Sequence, residues 1–133
     1  MKTILIVEDN PADSRLLDEA FREAPVPTSR SIVRDGMEAL AFLRREGRYQ
    51  DAPRPDLILL DLNLPKKDGR EVIREIRADE ELRRIPVVVL SGSADEAEMA
   101  RLEAEGVEHS LVKPADLDAC FDRINSLLAI ISD

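Results

Sequence analysis

Acidic side chains follow two apolar runs of this sequence, at the points where the runs end. Residues 57–60 read Leu-Ile-Leu-Leu and end on Asp61, and residues 4–7 read Ile-Leu-Ile-Val and end on Glu8 and Asp9. Uninterrupted apolar runs of this length are typical of parallel strands buried on both faces. If the two strands are neighbours, three carboxylates that are distant in sequence meet at the sheet edge where open α/β sheets bind ligands.

Three clustered carboxylates repel one another unless a cation neutralises them. A set of oxygen ligands favours a hard cation such as Mg²⁺. The pattern therefore predicts a magnesium-assisted acidic pocket in which Asp61, at the end of the central strand, is the reactive group.

Two further predicted strands end on polar side chains that could join this pocket. Residues 86–90 are followed by Ser91, and the short strand 110–112 is followed by Lys113. Each of these residues alone is more often a turn residue, a cap or a solvated side chain. Together they suit phosphate chemistry, because carboxylates can bind the metal and act as nucleophile while a hydroxyl and an ammonium donate to phosphoryl oxygens.

Helical segments alternate with the strands, and local signals predict where they begin and end. Predicted starts are Asn10 before Pro11, Asp35 with Glu38, Asp68 with Glu71, and Ser93 with Glu96. Predicted ends are Pro25, Gly47 and Gly106, and a last helix covers about residues 116–131. A weak strand at 29–34 is placed at an edge, and 47–55 is predicted to be a polar loop. Strict alternation predicts a doubly wound α/β fold, with a five-stranded parallel sheet and five helices on its two faces.

Composition narrows the class of protein. The 133 residues are expected to form one domain, 1–133, without an output domain. A net charge of −9 argues against nucleic acid or an anionic membrane as a direct partner. The single cysteine, Cys120, and the lack of a long apolar run predict a cytoplasmic protein.

The whole chain resembles the receiver domain of two-component response regulators. The resemblance rests on Glu8-Asp9, on residues 61–65 (Asp-Leu-Asn-Leu-Pro) with Gly69, on Ser91, and on Lys113-Pro114, each directly after a predicted strand. It implies a flavodoxin-like fold with strand order 2-1-3-4-5. It also implies a signalling protein that is not an enzyme beyond promoting its own phosphorylation and dephosphorylation.

In that family, the residue matching Asp61 accepts a phosphoryl group from the phosphohistidine of a sensor kinase. The resemblance implies that Mg²⁺ is bound by Asp9, Asp61 and the backbone carbonyl of Asn63, with Glu8 acting through water. Ser91 and Lys113 would contact the phosphoryl oxygens, and the Lys113-Pro114 bond would be cis.

Residues 61–93 and the long loop before the central strand further resemble regulators paired with phytochrome-type histidine kinases. Two positions depart from the family pattern, because Ser110 and Ala115 stand where aromatic residues are usual. The aromatic rotation that reports phosphorylation in this family is therefore in doubt. Signal output would instead use backbone and packing shifts on that face.

Helical spacing also predicts a surface for a homodimer through the last two strand–helix units. Leu127 and Ile130 fall off the predicted core stripe of the last helix, and Met99 and Leu102 fall opposite the alanines of the preceding helix.

Three rival functions share parts of this pattern. A magnesium-dependent phosphatase with an aspartate nucleophile would need a second Asp at position 63, where Asn stands. A flavin carrier would need aromatic residues to sandwich the ring and a glycine-rich turn after the first strand, whereas the sequence has no Trp, one Tyr and no such turn. A phosphorylation-independent interaction module remains open.

Overall fold

The computed structural model describes residues 1–62, 64, 66–91, 96–104, 107, 109–112, 122 and 124–129. Its strands are β1 (Lys2–Val7), β2 (Thr28–Val33), β3 (Leu57–Asp61), β4 (Val87–Ser91) and β5 (His109–Val112). Its α-helices are α1 (Pro11–Glu23), α2 (Gly36–Arg44), α3 (Gly69–Ala78) and α4 (Glu96–Ala104), and residues 124–129 are also helical. The predicted alternation of strands and helices is present throughout.

The strands form a parallel sheet in the order β2-β1-β3-β4-β5. β2 lies at one edge, as its weak apolar pattern predicts. The central strand β3 pairs with β1 on one side and with β4 on the other, and all five of its residues are buried. Two apolar clusters, one on each face of the sheet, form the core. This arrangement is the doubly wound α/β architecture expected from the sequence.

Helix starts follow the predicted caps. The Asn10 side chain accepts hydrogen bonds from the amides of Ala12 and Asp13, at 2.9 and 3.3 Å. Asp35 accepts from the amide of Glu38 at 2.7 Å, and Asp68 from that of Arg70 at 2.8 Å. These side-chain acceptors satisfy amides that have no partner within their own helix. The caps of α4, Ser93 and Gly106, lie outside the described residues.

The end of α2 differs from the prediction. Gly47 does not close the helix, which ends at Arg44 with Arg45 in the left-handed conformation at φ 57°. The Arg45 amide bonds to the carbonyl of Phe42, and its side chain donates to the carbonyl of Ala52 at 3.0 Å. These bonds hold a conformation that a glycine would adopt more easily.

The predicted polar loop 47–55 contains a short 3₁₀ turn, Gly47–Tyr49. The Tyr49 ring packs on Phe42 with 5.3 Å between the ring centroids. Arg54 donates to the carbonyl of Leu43 at 2.7 Å. The loop is therefore fixed to the end of α2 by both packing and hydrogen bonds.

The surface predicted for a homodimer was wrong at two positions. Leu102 of α4 and Leu127 are 3% and 2% exposed and belong to the core. Ala97, Ala100 and Ala104 are exposed instead. The apolar residues of α4 lie on both of its faces, with the alanines exposed and Leu102 buried, so helical spacing alone predicted the wrong face. Ile130 and the Met99 side chain lie outside what the structure describes.

No described helix has both the length and the apolar character needed to span a bilayer.

Candidate functional site

The ends of β1 and β3 bring three carboxylates together, as their sequence positions predict. One carboxylate oxygen each from Glu8, Asp9 and Asp61 lies within 4.8 Å of the other two. The register pairs Val7 with Leu60, so the two strands end side by side. Parallel pairing of two apolar runs is therefore sufficient to assemble this cluster.

The three carboxylates differ in their exposure. Glu8 and Asp61 are 1% and 3% exposed, whereas Asp9 is on the surface. Glu8 accepts a hydrogen bond from the amide of Asn10 at 3.1 Å, which fixes the turn between β1 and α1. Burying acidic groups this close together raises the energy of their charged forms. A cation bound at the exposed side of the cluster would lower the energy of these charged carboxylates.

Glycine at position 69 lets α3 begin close to Asp61. A Cβ atom at Gly69 would lie 2.7 Å from the carbonyl oxygen of Asp61 and 2.8 Å from the Cα of Leu62. The Gly69 amide donates to the carbonyl of Leu62 at 3.0 Å. Only a residue without a side chain permits this approach, so Gly69 fixes the path of the chain after the reactive position.

Two consecutive lysines of the segment between β3 and α3 contact the neighbouring helices α2 and α3. Lys66, in the left-handed conformation at φ 66°, lies 3.6 Å from a carboxylate oxygen of Asp35 at the start of α2. The Lys67 ammonium donates to Glu75 of α3, and this bond lowers the pKa of the Glu75 carboxyl. Glu75 also pairs with Arg44 of α2 at 3.1 Å. These contacts hold the loop against two helices.

The remaining predicted site residues are placed only in part. Ser91 is the last residue of β4 and pairs with Val112 of β5, which puts its backbone at the same end of the sheet as Asp61. The side chain of Ser91 lies outside what the structure describes. Asn63, Lys113 and the Lys113-Pro114 bond also lie outside the described residues, as does Ala115. Ser110 is within β5 and pairs with Val89.

Sequence reasoning missed a cleft beside the carboxylates. This cleft has a volume of about 350 Å³ and reaches Glu8 and Asp9. It runs between α1 and β2, where Arg15 and Arg34 line it. Helical spacing puts Arg15 on the exposed face of α1, but no local signal in the sequence indicates that Arg15 lies near Arg34, which follows β2.

The sequence matches the response regulator receiver domain family over residues 4–125. The chain belongs to this family, which confirms the resemblance found from the strand-end residues.

Several similar structures are phytochrome or bacteriophytochrome response regulators by name. The chain is 46% identical over 126 residues to the response regulator Rcp1 of Synechocystis sp., covering 95% of this chain and 86% of Rcp1. It is similar in structure to the phosphorylated cyanobacterial phytochrome response regulator RcpA, with a TM-score of 0.90 and 51% identity over 98% of this chain and 93% of RcpA. It also resembles RPA3017, a response regulator in red light signalling of R. palustris, with a TM-score of 0.89 and 34% identity over 98% and 93% of the two chains.

The Mn²⁺-bound form of Rcp1 is another similar structure, with a TM-score of 0.88 and 45% identity over 97% of this chain and 93% of that one. A divalent metal thus occurs in a relative of high similarity.

Proposed function

We propose that this protein is a phosphoacceptor response regulator in which Asp61 takes a phosphoryl group from the phosphohistidine of a sensor kinase. The carboxylate cluster of Glu8, Asp9 and Asp61, at the carboxyl ends of adjacent strands in a receiver-family chain, carries the proposal. In the transfer, a carboxylate oxygen of Asp61 forms a bond to phosphorus as the donor's nitrogen–phosphorus bond breaks. The donor nitrogen keeps the electron pair and takes up a proton.

The donor set fits Mg²⁺, since three carboxylate oxygens are hard ligands within 4.8 Å of one another. Asp9, Asp61 and the backbone carbonyl of Asn63 would hold the ion, and Glu8 would orient a bound water. When bound, Mg²⁺ neutralises charge on the transferring phosphoryl oxygens. Ser91 and Lys113 would donate to those oxygens after transfer.

Replacing Asp9 by Asn should have effects of opposite sign with and without Mg²⁺. In EDTA the Asp9→Asn variant should unfold at an equal or higher temperature, because one of three repelling charges is removed. With Mg²⁺ the variant should be stabilised less than the unchanged protein, because it should bind Mg²⁺ at least about tenfold more weakly. This loss of affinity is equivalent to about 1.4 kcal/mol. Thermal unfolding and calorimetric titration measure both effects.

The control for this experiment is Asp51→Asn, which removes an exposed carboxylate from the loop before β3. It should keep the full response to Mg²⁺. Equal Mg²⁺ affinity in the Asp9→Asn variant and the unchanged protein would contradict the proposed ligand set.

We further propose a phytochrome-type histidine kinase as the phosphoryl donor, supported by the similarity to the phytochrome response regulator RcpA and to two bacteriophytochrome response regulators. Phosphate transfer from such a kinase of the same organism should be at least about tenfold faster than from a kinase without a phytochrome sensor, a discrimination of about 1.4 kcal/mol. The transfer rates are measured with kinase that carries a radiolabelled phosphoryl group, sampled after illumination with red and with far-red light. Equal transfer rates from both kinases would contradict the phytochrome assignment while leaving the phosphoacceptor function in place.

A homodimer through the last two strand–helix units also remains a proposal. With Leu102 and Leu127 in the core, its surface would use the exposed alanines of α4 instead.

A further inference from the structure

The cleft between α1 and β2 opens beside the carboxylate cluster. It has a volume of about 350 Å³, and both Glu8 and Asp9 line its inner end. Arg15 of α1 and Arg34, the residue after β2, line the same cleft, and both arginines are exposed. A path to the acidic site therefore passes two cationic side chains.

The one other acid in this cleft is already neutralised by different arginines. Asp18 pairs with Arg22 at 2.9 Å and with Arg30 at 2.6 Å. Within the described part of the chain, Arg15 and Arg34 make no ion pair or hydrogen bond. Two arginines that form no ion pair within the described residues thus line this cleft, in a chain whose net charge is −9.

A phosphoryl donor approaching Asp61 is an anion that must come near Glu8 and Asp9. The repulsion slows its association, because like charges interact over roughly a Debye length, about 10 Å at 0.1 M salt. Positive groups beside such a site raise the local concentration of an anion and its association rate. The same groups oppose the binding of a cation.

We propose that Arg15 and Arg34 are positioning residues that steer anionic phosphoryl donors along this cleft toward Asp61, an inference that rests on the proposed phosphoacceptor function. The ligand chemistry is a phosphoryl anion, presented either by a small phosphodonor or by a phosphohistidine. The arginines act on the approach of the donor and take no part in bond formation.

The test compares Arg15→Gln, Arg34→Gln and the double variant with a matched control, Arg83→Gln. Arg83 is an exposed residue of the turn Leu82–Arg84 before β4, at the opposite end of the sheet. The second-order rate of phosphorylation by acetyl phosphate, a dianion at neutral pH, is measured by intact mass at low and high salt. At low salt we expect the rate to fall about threefold for each single variant and about tenfold for the double variant.

Three further readouts separate steering from structural damage. The rate difference should shrink at high salt, and it should be smaller with phosphoramidate, which carries one negative charge less. Mg²⁺ affinity, measured by calorimetry, should be unchanged or about twofold higher in the double variant because two repelling charges are lost. A phosphohistidine kinase as donor shows whether the same arginines also serve a protein donor.

If the Arg15 and Arg34 variants are phosphorylated at low salt as fast as the Arg83→Gln control, the inference is overturned while the phosphoacceptor function stays intact. A rate loss that persists at high salt, or that comes with weaker Mg²⁺ binding, would also overturn it. If the unchanged protein takes up no phosphoryl group from any donor, the proposed function itself fails, which is a different outcome.

Discussion

Replacing Asp61 with Asn is expected to abolish the phosphoryl adduct of this protein. The change keeps the size of a side chain that is 3% exposed at the end of β3, and it replaces one acceptor oxygen with an amide donor. It removes the anionic oxygen that would attack phosphorus, since an amide is a very weak nucleophile. Intact mass after incubation with Mg²⁺ and a small phosphodonor should therefore show an adduct in the unchanged protein and none in the variant.

Two controls make this loss specific to Asp61. The Asp51→Asn variant should form as much adduct as the unchanged protein, because Asp51 is an exposed loop residue. EDTA should suppress the adduct in both. An adduct in the Asp61→Asn protein would place the phosphoacceptor elsewhere, and no adduct in any protein would favour a phosphorylation-independent interaction module.

Replacing Gly36 with Ala is expected to destabilise the fold and disturb the loop that follows Asp61. A Cβ atom at Gly36, the first residue of α2, would lie 2.2 Å from the carbonyl oxygen of Lys67 and 2.8 Å from Cγ2 of Val72. The first of these atoms is backbone and cannot rotate away. The loop between β3 and α3 must move, at a cost of about 2–3 kcal/mol in the free energy of unfolding.

Gly47→Ala is the matched control for this substitution. Gly47 also has a glycine-specific role, through its φ of +58°, but no atom lies within 4 Å of a Cβ placed there. Its replacement should cost about 1 kcal/mol from backbone strain alone. Urea unfolding gives both free energies, and phosphorylation should slow only in the Gly36→Ala protein. Equal losses in the free energy of unfolding for the two variants would show that the contact of position 36 with the Lys67 carbonyl does not determine the destabilisation.

Local signals were enough to predict most of the elements and the core of the site. Asn10, Asp35 and Asp68 each cap a helix as predicted, because side-chain capping depends on residues only two or three positions apart. The meeting of Glu8 with Asp61 followed from topology, since adjacent parallel strands that both end in acids must bring those acids together.

Features that depend on contacts across the molecule could not be predicted in this way. The exclusion of a side chain at Gly36 comes from the Lys67 carbonyl, and the left-handed Arg45 is held by a bond to Ala52. The burial of Leu102 depends on which face of α4 meets the sheet. The apolar residues of α4 lie on both of its faces. In each of these cases the deciding partner is set by packing and not by sequence spacing.

The complete burial of β3 between two paired strands also bears on how the activated state can be observed. Amide protons that are buried and hydrogen-bonded on both sides of a strand exchange with solvent mainly when the whole domain opens. Deuterium uptake at Ile58 and Leu60 would therefore report global opening. These amides provide an internal reference in every sample. A change in uptake at β4 or β5 that is absent from β3 would mark a local rearrangement, separate from any change in overall stability.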